Sequence, residues 1–346
     1  MTLALARPLN TCRWDPNDVR GHVESWFLKA NDPAAPGQAL WIKFTLLVPP
    51  GGAARREPAL CEVWAIRFDG ATGRHRAAKA SFPIGEAEFA AGGLGVSVGG
   101  NLLEPGRTRG SLGTGTDHIR WDLRLDGGDA APMFGFPHRA MYEGGFPKSK
   151  LYTPLPRAVL SGELGGDDGA EVITGWIGML GHNWGRTHSP SYHWAQCSLF
   201  EGPEGPEDTV FEAFSGRIAL GPWLSPWLSG GVLRRGGEEL RFNAVGALFG
   251  NRVRVGPSSW SCVLDNGERR LTWAVRSAPA DFVGLRYIDP DGRENHCLNS
   301  KIATCTLALE RRSGGRLALE AELRGDRSCA YEILTRSHDH GIPLRA

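Results

Sequence analysis

The chain has 346 residues, a formal net charge of +1 and 41% hydrophobic residues. That length exceeds one core and predicts two domains, while Lys and Arg scattered as singles and pairs exclude the basic stripe of a nucleic-acid binder. No run reaches the ~18 apolar residues of a membrane helix, and the seven cysteines form no CxxC pair.

The N-terminal stretch MTLALARPLNTCRW has no charged leader followed by a long apolar core, so no secretory signal is expected. The reading is a cytoplasmic protein with reduced, buried thiols and no transmembrane segment, which leaves room for peripheral membrane contact. Oligomeric state stays open.

Forty-seven glycines and 23 prolines cut the chain into short pieces of β character. Residues 22–29, 39–48, 60–68 and 118–125 alternate apolar and polar residues or run apolar for a strand's length. The glycine-rich 92–100 reads as a strand between turns, and short helical turns are expected near 84–91 or 138–142. Residues 127–170 read as a long irregular connection. The stretch 192–200 is strand-like and should place Tyr192, Trp194, Gln196 and Ser198 on one face. Residues 221–231, with two prolines and a Gly-Gly, read as the break before a second strand-rich half. The predicted fold is all-β: two consecutive antiparallel β-barrel domains, residues 1–220 and 221–346.

The densest chemistry lies in GWIGMLGHNWGRTHSPSYHWAQCSLF, residues 175–200. It gathers Trp176, His182, Asn183, Trp184, His188, Trp194 and Gln196, apolar walls with a few placed polar groups. His182, Asn183 and Trp184 are expected in a sharp turn bounded by Gly181 and Gly185, with His182 as acid or base. The His182, His188 and His193 spacing fits no standard ligand pattern, so no metal is expected. Glu24 shares a strand face with His22 and Trp26; a carboxyl desolvated beside tryptophan would have its pKa raised and suit a general acid. Glu212 and Phe214 share a face of the following strand and should approach Gln196 if the strands pair. Trp41, Trp64 and Trp121 are expected to line the first barrel. For each residue taken alone, plain barrel core is the competing reading.

Three stretches carry a resemblance: DVRGHVESWFLKANDP with ALWIKFTLL, GMLGHNWG followed by a Trp-x-Gln strand, and FEAFSGRIALG. They resemble the lipocalin-like superfamily of carotenoid hydratases, hydroxyneurosporene synthase type, tocopherol cyclases and related natural-product cyclases. The resemblance implies two lipocalin-like barrels holding an apolar ligand in the first or between the two. It also implies chemistry without metal or organic cofactor: alkene protonation and control of the carbocation. Carotenoid hydratases of this kind carry an acidic residue immediately before the signature histidine; Gly181 stands there instead.

The expected function is therefore a cofactor-independent cyclase or hydratase acting on a hydrophobic isoprenoid. Its catalytic candidates are Glu24, His182 and Glu212. Its substrate-binding candidates are Trp26, Trp41, Trp176, Asn183, Trp184, His188, Trp194, Gln196 and Phe214. The alternatives are a non-catalytic lipid or terpenoid carrier and a pericyclase of a polyketide-type product. A scaffold whose tryptophans are only core is a weaker third.

Overall fold

The computed structural model describes residues 8–51, 58–128, 130–202 and 208–346. The leader expectation for MTLALARPLNTCRW falls in its first half, residues 1–7, outside that set. The described chain is nearly all β, in two large antiparallel sheets.

The first sheet takes its strands in chain order. They are β1 (His22–Asn31), β2 (Gln38–Val48), β3 (Leu60–Asp69), β4 (Arg76–Pro83), β5 (Ala87–Phe89) and β6 (Val96–Val98). There follow β7 (Asn101–Glu104), β8 (Arg107–Leu112), β9 (Ile119–Asp126), β10 (Met133–Phe134), β11 (Ser149–Gly166) and β12 (Gly169–Gly185). The order across the sheet is β4-β3-β2-β1-β12-β11-β9-β8-β7-β6-β5, with β10 beside β11. It curls until β3 and β4 lie against β8 and β9, a nearly closed barrel.

The second half holds β13 (Ser191–Cys197), β14 (Val210–Arg217), a small hairpin of β15 (Ala219–Leu220) and β16 (Trp223–Leu224), β17 (Leu228–Arg235) and β18 (Glu238–Arg241). It continues with β19 (Arg252–Val255), β20 (Ser259–Asp265), β21 (Arg269–Arg276), β22 (Val283–Ile288), β23 (Glu294–Ser313) and β24 (Arg316–Thr335). Here the order is β18-β17-β14-β13-β24-β23-β21-β20-β19, with β22 on β23.

Period-two alternation decides what each face does. On β1, Trp26, Leu28 and Ala30 enter the first barrel's core with Phe44, Trp121 and Trp176. Phe27 points the other way, into a separate cluster shared with Trp41, Trp64, Met179, Trp194, Leu285 and Tyr287. On β13, Ala195 and Cys197 join the second core with Phe211, Trp260, Trp273 and Tyr331. The two sheets therefore meet face to face across a third core that neither owns.

Several expectations change here. The first sheet ends at Gly185 and the second begins at Ser191, so β13 and β14 belong to the second sheet, not to the barrel ending at residue 220. Residues 221–231 form a hairpin edge and the start of β17, because Gly221 at φ +64° closes a tight turn instead of a linker. Residues 149–166, read as irregular, are one long strand bent by register shifts between Tyr152 and Leu155, Leu155 and Ala158, and Leu160 and Gly162. His182, Asn183 and Trp184 lie in β12, paired with Trp26, Ser25 and Glu24. Their flanking glycines serve close approach, not a turn. A Cβ on Gly181 would meet the Phe27 ring at 2.3 Å, and one on Gly185 the Lys148 carbonyl at 2.0 Å. The helical turns at Ile84–Glu86 and α1 (Ala140–Glu143) stand as expected, and a second short helix, α2 (Val245–Gly250), follows β18.

Candidate functional site

Glu24, His182 and Trp26 do come together, at the end of the first barrel. Glu24 is 1% exposed. Its Oε1 lies 2.8 Å from His182 Nε2 and its Oε2 2.7 Å from His22 Nε2. The backbone N–H groups of Arg13 and Trp14 donate to the same carboxylate at 2.8 to 3.2 Å. Burial alone would raise its pKa, but the hydrogen bonds from His182 and His22 outweigh it and hold the carboxyl at about 2. Glu24 is thus an ionised acceptor, not the general acid expected from its apolar neighbours. Burial pushes the pKa of His182 down. Its ring stacks on Trp26, with centroids 4.8 Å apart. Trp184 packs beside it with Leu9, Tyr142 and Tyr152. This is a staple that ties the segment before β1 to the barrel.

The pairing expected around Gln196 is present: Gln196 faces Glu212, and Trp194 faces Phe214. Glu212 accepts from Thr153 Oγ1 at 2.7 Å and from Trp194 Nε1 at 2.9 Å. Burial raises its pKa against those two bonds, and no cation offsets it among the described ion pairs. The Gln196 amide donates to the Pro156 carbonyl at 3.0 Å. These residues occupy the layer between the sheets rather than a barrel lumen.

A cleft of about 50 Å³ opens at one end of that layer. Its walls include Ser25, Phe27, Trp41, Lys43, Asn183, His188, Tyr192, Tyr287 and Glu332. Asp289 binds His188 twice: it accepts from the backbone N–H, and its Oδ1 lies 2.8 Å from Nδ1. Burial would raise the Asp289 carboxyl, but the His188 hydrogen bonds hold it well below the usual range. An ionised Asp289 favours the Nδ1–H tautomer of His188, whose ring packs 5.5 Å, centroid to centroid, from Tyr287 in the wall of the cleft. Lys43 Nζ sits 3.7 Å from the Tyr287 ring centroid, and burial lowers its pKa to about 8. Asn183 Oδ1 is buried with no hydrogen-bond partner among the described residues. Behind the wall, Lys301 pairs with Glu332 at 2.7 Å.

No family model matches the chain, and no curated protein matches it. A solved structure does: a crystal structure of a protein from Nitrosomonas europaea provisionally identified as AttH. It aligns over 91% of this chain and 92% of its own, at 14% identity and a TM-score of 0.56. At that identity the likeness shows the fold. A porin-like protein from Bacteroides uniformis aligns at 6% identity over 90% of this chain and 95% of its own, with a TM-score of 0.13 that carries no argument.

Of the expected binding residues, Trp41, Asn183, Trp184 and His188 line the cleft. Trp194 and Phe214 back it through the shared core. Trp26 and Trp176 are interior to the first barrel, where the Arg67 guanidinium lies 4.8 Å from the Trp176 ring. Trp121 is also interior, but Trp41 and Trp64 face outward into the layer between the sheets, so they do not line the barrel as expected. A second, shallow groove of about 450 Å³ runs over β7 to β9 and β11, among Arg109, Arg120, Asp122 and Glu163, and of the tryptophans named above only Trp121 borders it. Sequence reading missed Lys43, Tyr287 and Asp289. The signal for Lys43 and Tyr287 was a charged or hydroxylated residue on the outward phase of an apolar strand, which looks identical to a solvent-facing position until a second sheet covers it, while Asp289 stands just past the end of β22.

Proposed function

We propose that the protein is a cofactor-independent lyase or isomerase of cyclase type, acting between the two sheets on an apolar, isoprenoid-like substrate that carries an oxygen function. The observation that carries this reading is the His188–Asp289 pair, an imidazole held by a buried carboxylate beside Tyr287 in the wall of the cleft. His188 would take the proton. Lys43 and the side-chain amide of Asn183 would hold the oxygen on which negative charge develops. Phe27, Trp41, Tyr192 and Tyr287 would fold the apolar part and exclude water. The cleft at about 50 Å³ is far below the ~300 Å³ of a usual ligand site. Substrate would enter by parting the sheets, which disfavours a carrier with a standing pocket. The exposed Leu220, Trp223 and Leu224 on the β15–β16 hairpin suit brief contact with a lipid surface.

A second reading, alkene protonation, is favoured by Glu212, whose carboxyl is pushed toward its neutral, proton-donating form beside Trp194. One experiment separates the two. The purified protein is extracted with organic solvent, any bound compound is identified by mass spectrometry, and turnover of its linear precursor is compared across variants. The first reading expects His188→Gln and Asp289→Asn to lower kcat at least 100-fold with Glu212→Gln near wild type. The reverse pattern would select alkene protonation. Full activity in all three would refute both.

A further inference from the structure

Three cysteines far apart in sequence converge inside the second sheet. The sulfurs of Cys197 on β13, Cys305 on β23 and Cys329 on β24 lie within 4.8 Å of one another, each no more than 1% exposed. The β23–β24 ladder slips at this point, between Ser300 and Ala303 and again between Ala303 and Cys305. Arg327, two residues before Cys329, takes φ +46°, left-handed geometry that a non-glycine residue adopts at a cost. Gly325, opposite Cys305 in the register, leaves the space open: a Cβ there would stand 2.7 Å from Cys197 Sγ and 3.0 Å from Cys305 Sγ.

Lys29 supplies the independent observation. It is 0% exposed, and its Nζ donates only to Asn31 Oδ1 at 2.9 Å and the Ser328 carbonyl at 3.3 Å. No carboxylate pairs with it among the described residues, whereas Lys301 nearby has Glu332. A buried ammonium is costly without a negative partner. Ser328, whose carbonyl Lys29 reaches, precedes Cys329 in the chain and has its Oγ 4.0 Å from Cys197 Sγ, which places the ammonium beside the sulfur cluster.

We propose that Cys197, Cys305 and Cys329 bind one thiophilic divalent cation, Zn²⁺, as a trithiolate whose residual negative charge is neutralised by Lys29. Binding exchanges three thiol protons for the metal: Zn²⁺ and three thiols give a trithiolate of charge −1 and three protons released to solvent. With the Lys29 ammonium the buried assembly has no net charge. Three sulfurs no more than 4.8 Å apart lie within about 2.8 Å of a common centre, so shifts of about 0.5 Å reach the ~2.3 Å of a zinc–sulfur bond. The ion would tie β13, β23 and β24 together beneath β1, a structural role apart from the cleft.

The test is metal content and zinc-edge X-ray absorption on the full chain, purified reduced from zinc-supplemented cells. One zinc per chain with a shell of three sulfurs at about 2.3 Å is expected. Cys305→Ser and Cys329→Ser should lose at least nine-tenths of the metal, and Cys262→Ser, a buried thiol outside the cluster, should keep it. Lys29→Met should weaken retention against a chelator at least tenfold. The wild-type spectrum needs no variant to fold. Zinc-free protein, or a nitrogen and oxygen shell from the Glu294, His296 and His338 cluster at the surface, would overturn the proposal.

Discussion

Glu24 shows how a carboxylate buried among aromatic rings turns out to be an anchor instead of an acid. Two imidazoles and the Arg13 and Trp14 backbone N–H groups spend all its acceptor capacity. Glu24→Gln should therefore lower stability by about 3 kcal/mol, since a charged acceptor is lost from buried donors. Chemical unfolding at neutral pH checks this. The sign with pH follows from its depressed pKa: the carboxylate's contribution is present above about 4.5 and fades as pH falls toward about 2. The gap between wild type and variant should close over that window; a constant gap would mean Glu24 is not ionised.

His193 behaves differently. It sits in the second core with Nδ1 3.0 Å from the Tyr331 hydroxyl, and burial lowers its pKa to about 4. The unfolded chain, with histidine near 6.5, binds the extra proton between those values, so stability should fall as pH drops from about 6.5 to 4. His193→Phe should flatten that slope in urea titrations at stepped pH.

At the scale of elements, β12 approaches its two neighbours through missing Cβ atoms, at Gly181 against Phe27 of β1 and at Gly185 against Lys148 just before β11. Gly185→Ala, forced against the Lys148 carbonyl, should cost about 2 kcal/mol or more. Gly216→Ala on β14, with nothing within 4 Å of the added carbon, should be close to neutral. Thermal melts of the two variants measure the contrast.

The β1–β12 pairing explains what could be read from the chain. Strand existence was legible because β1, β9, β13 and β21 carry their alternation locally. The shared face of Tyr192, Trp194 and Gln196 and the facing of Gln196 by Glu212 were legible for the same reason. What was not legible is which phase of each strand faces water. In β1 both phases are buried, one in the barrel and one against the second sheet. The glycines around His182 read as a turn because a glycine needed for ring contact and one needed for positive φ look alike in sequence.

Across the whole molecule, two sheets are joined by a layer that is apolar at its centre and charged at its margin. The Lys301–Glu332 pair lies inside it, 0% and 10% exposed at the side chains. Removing one partner should cost about 3–5 kcal/mol by stranding a buried charge, while Lys301→Met with Glu332→Leu should cost distinctly less. A double-mutant cycle in guanidinium decides it. Losses that simply add in the double variant would mean that the two charges do not interact and that the layer is looser than described.

On the proposed function, ligand chemistry takes place between the sheets and not inside either barrel. A crystal structure of the protein with the compound extracted from it tests that most directly. The compound is expected between Trp41, Tyr192 and Tyr287, with an oxygen atom within hydrogen-bond reach of Lys43 or Asn183 and a carbon near the His188 ring. Density inside the first barrel, among Trp26, Phe44 and Trp121, would contradict it.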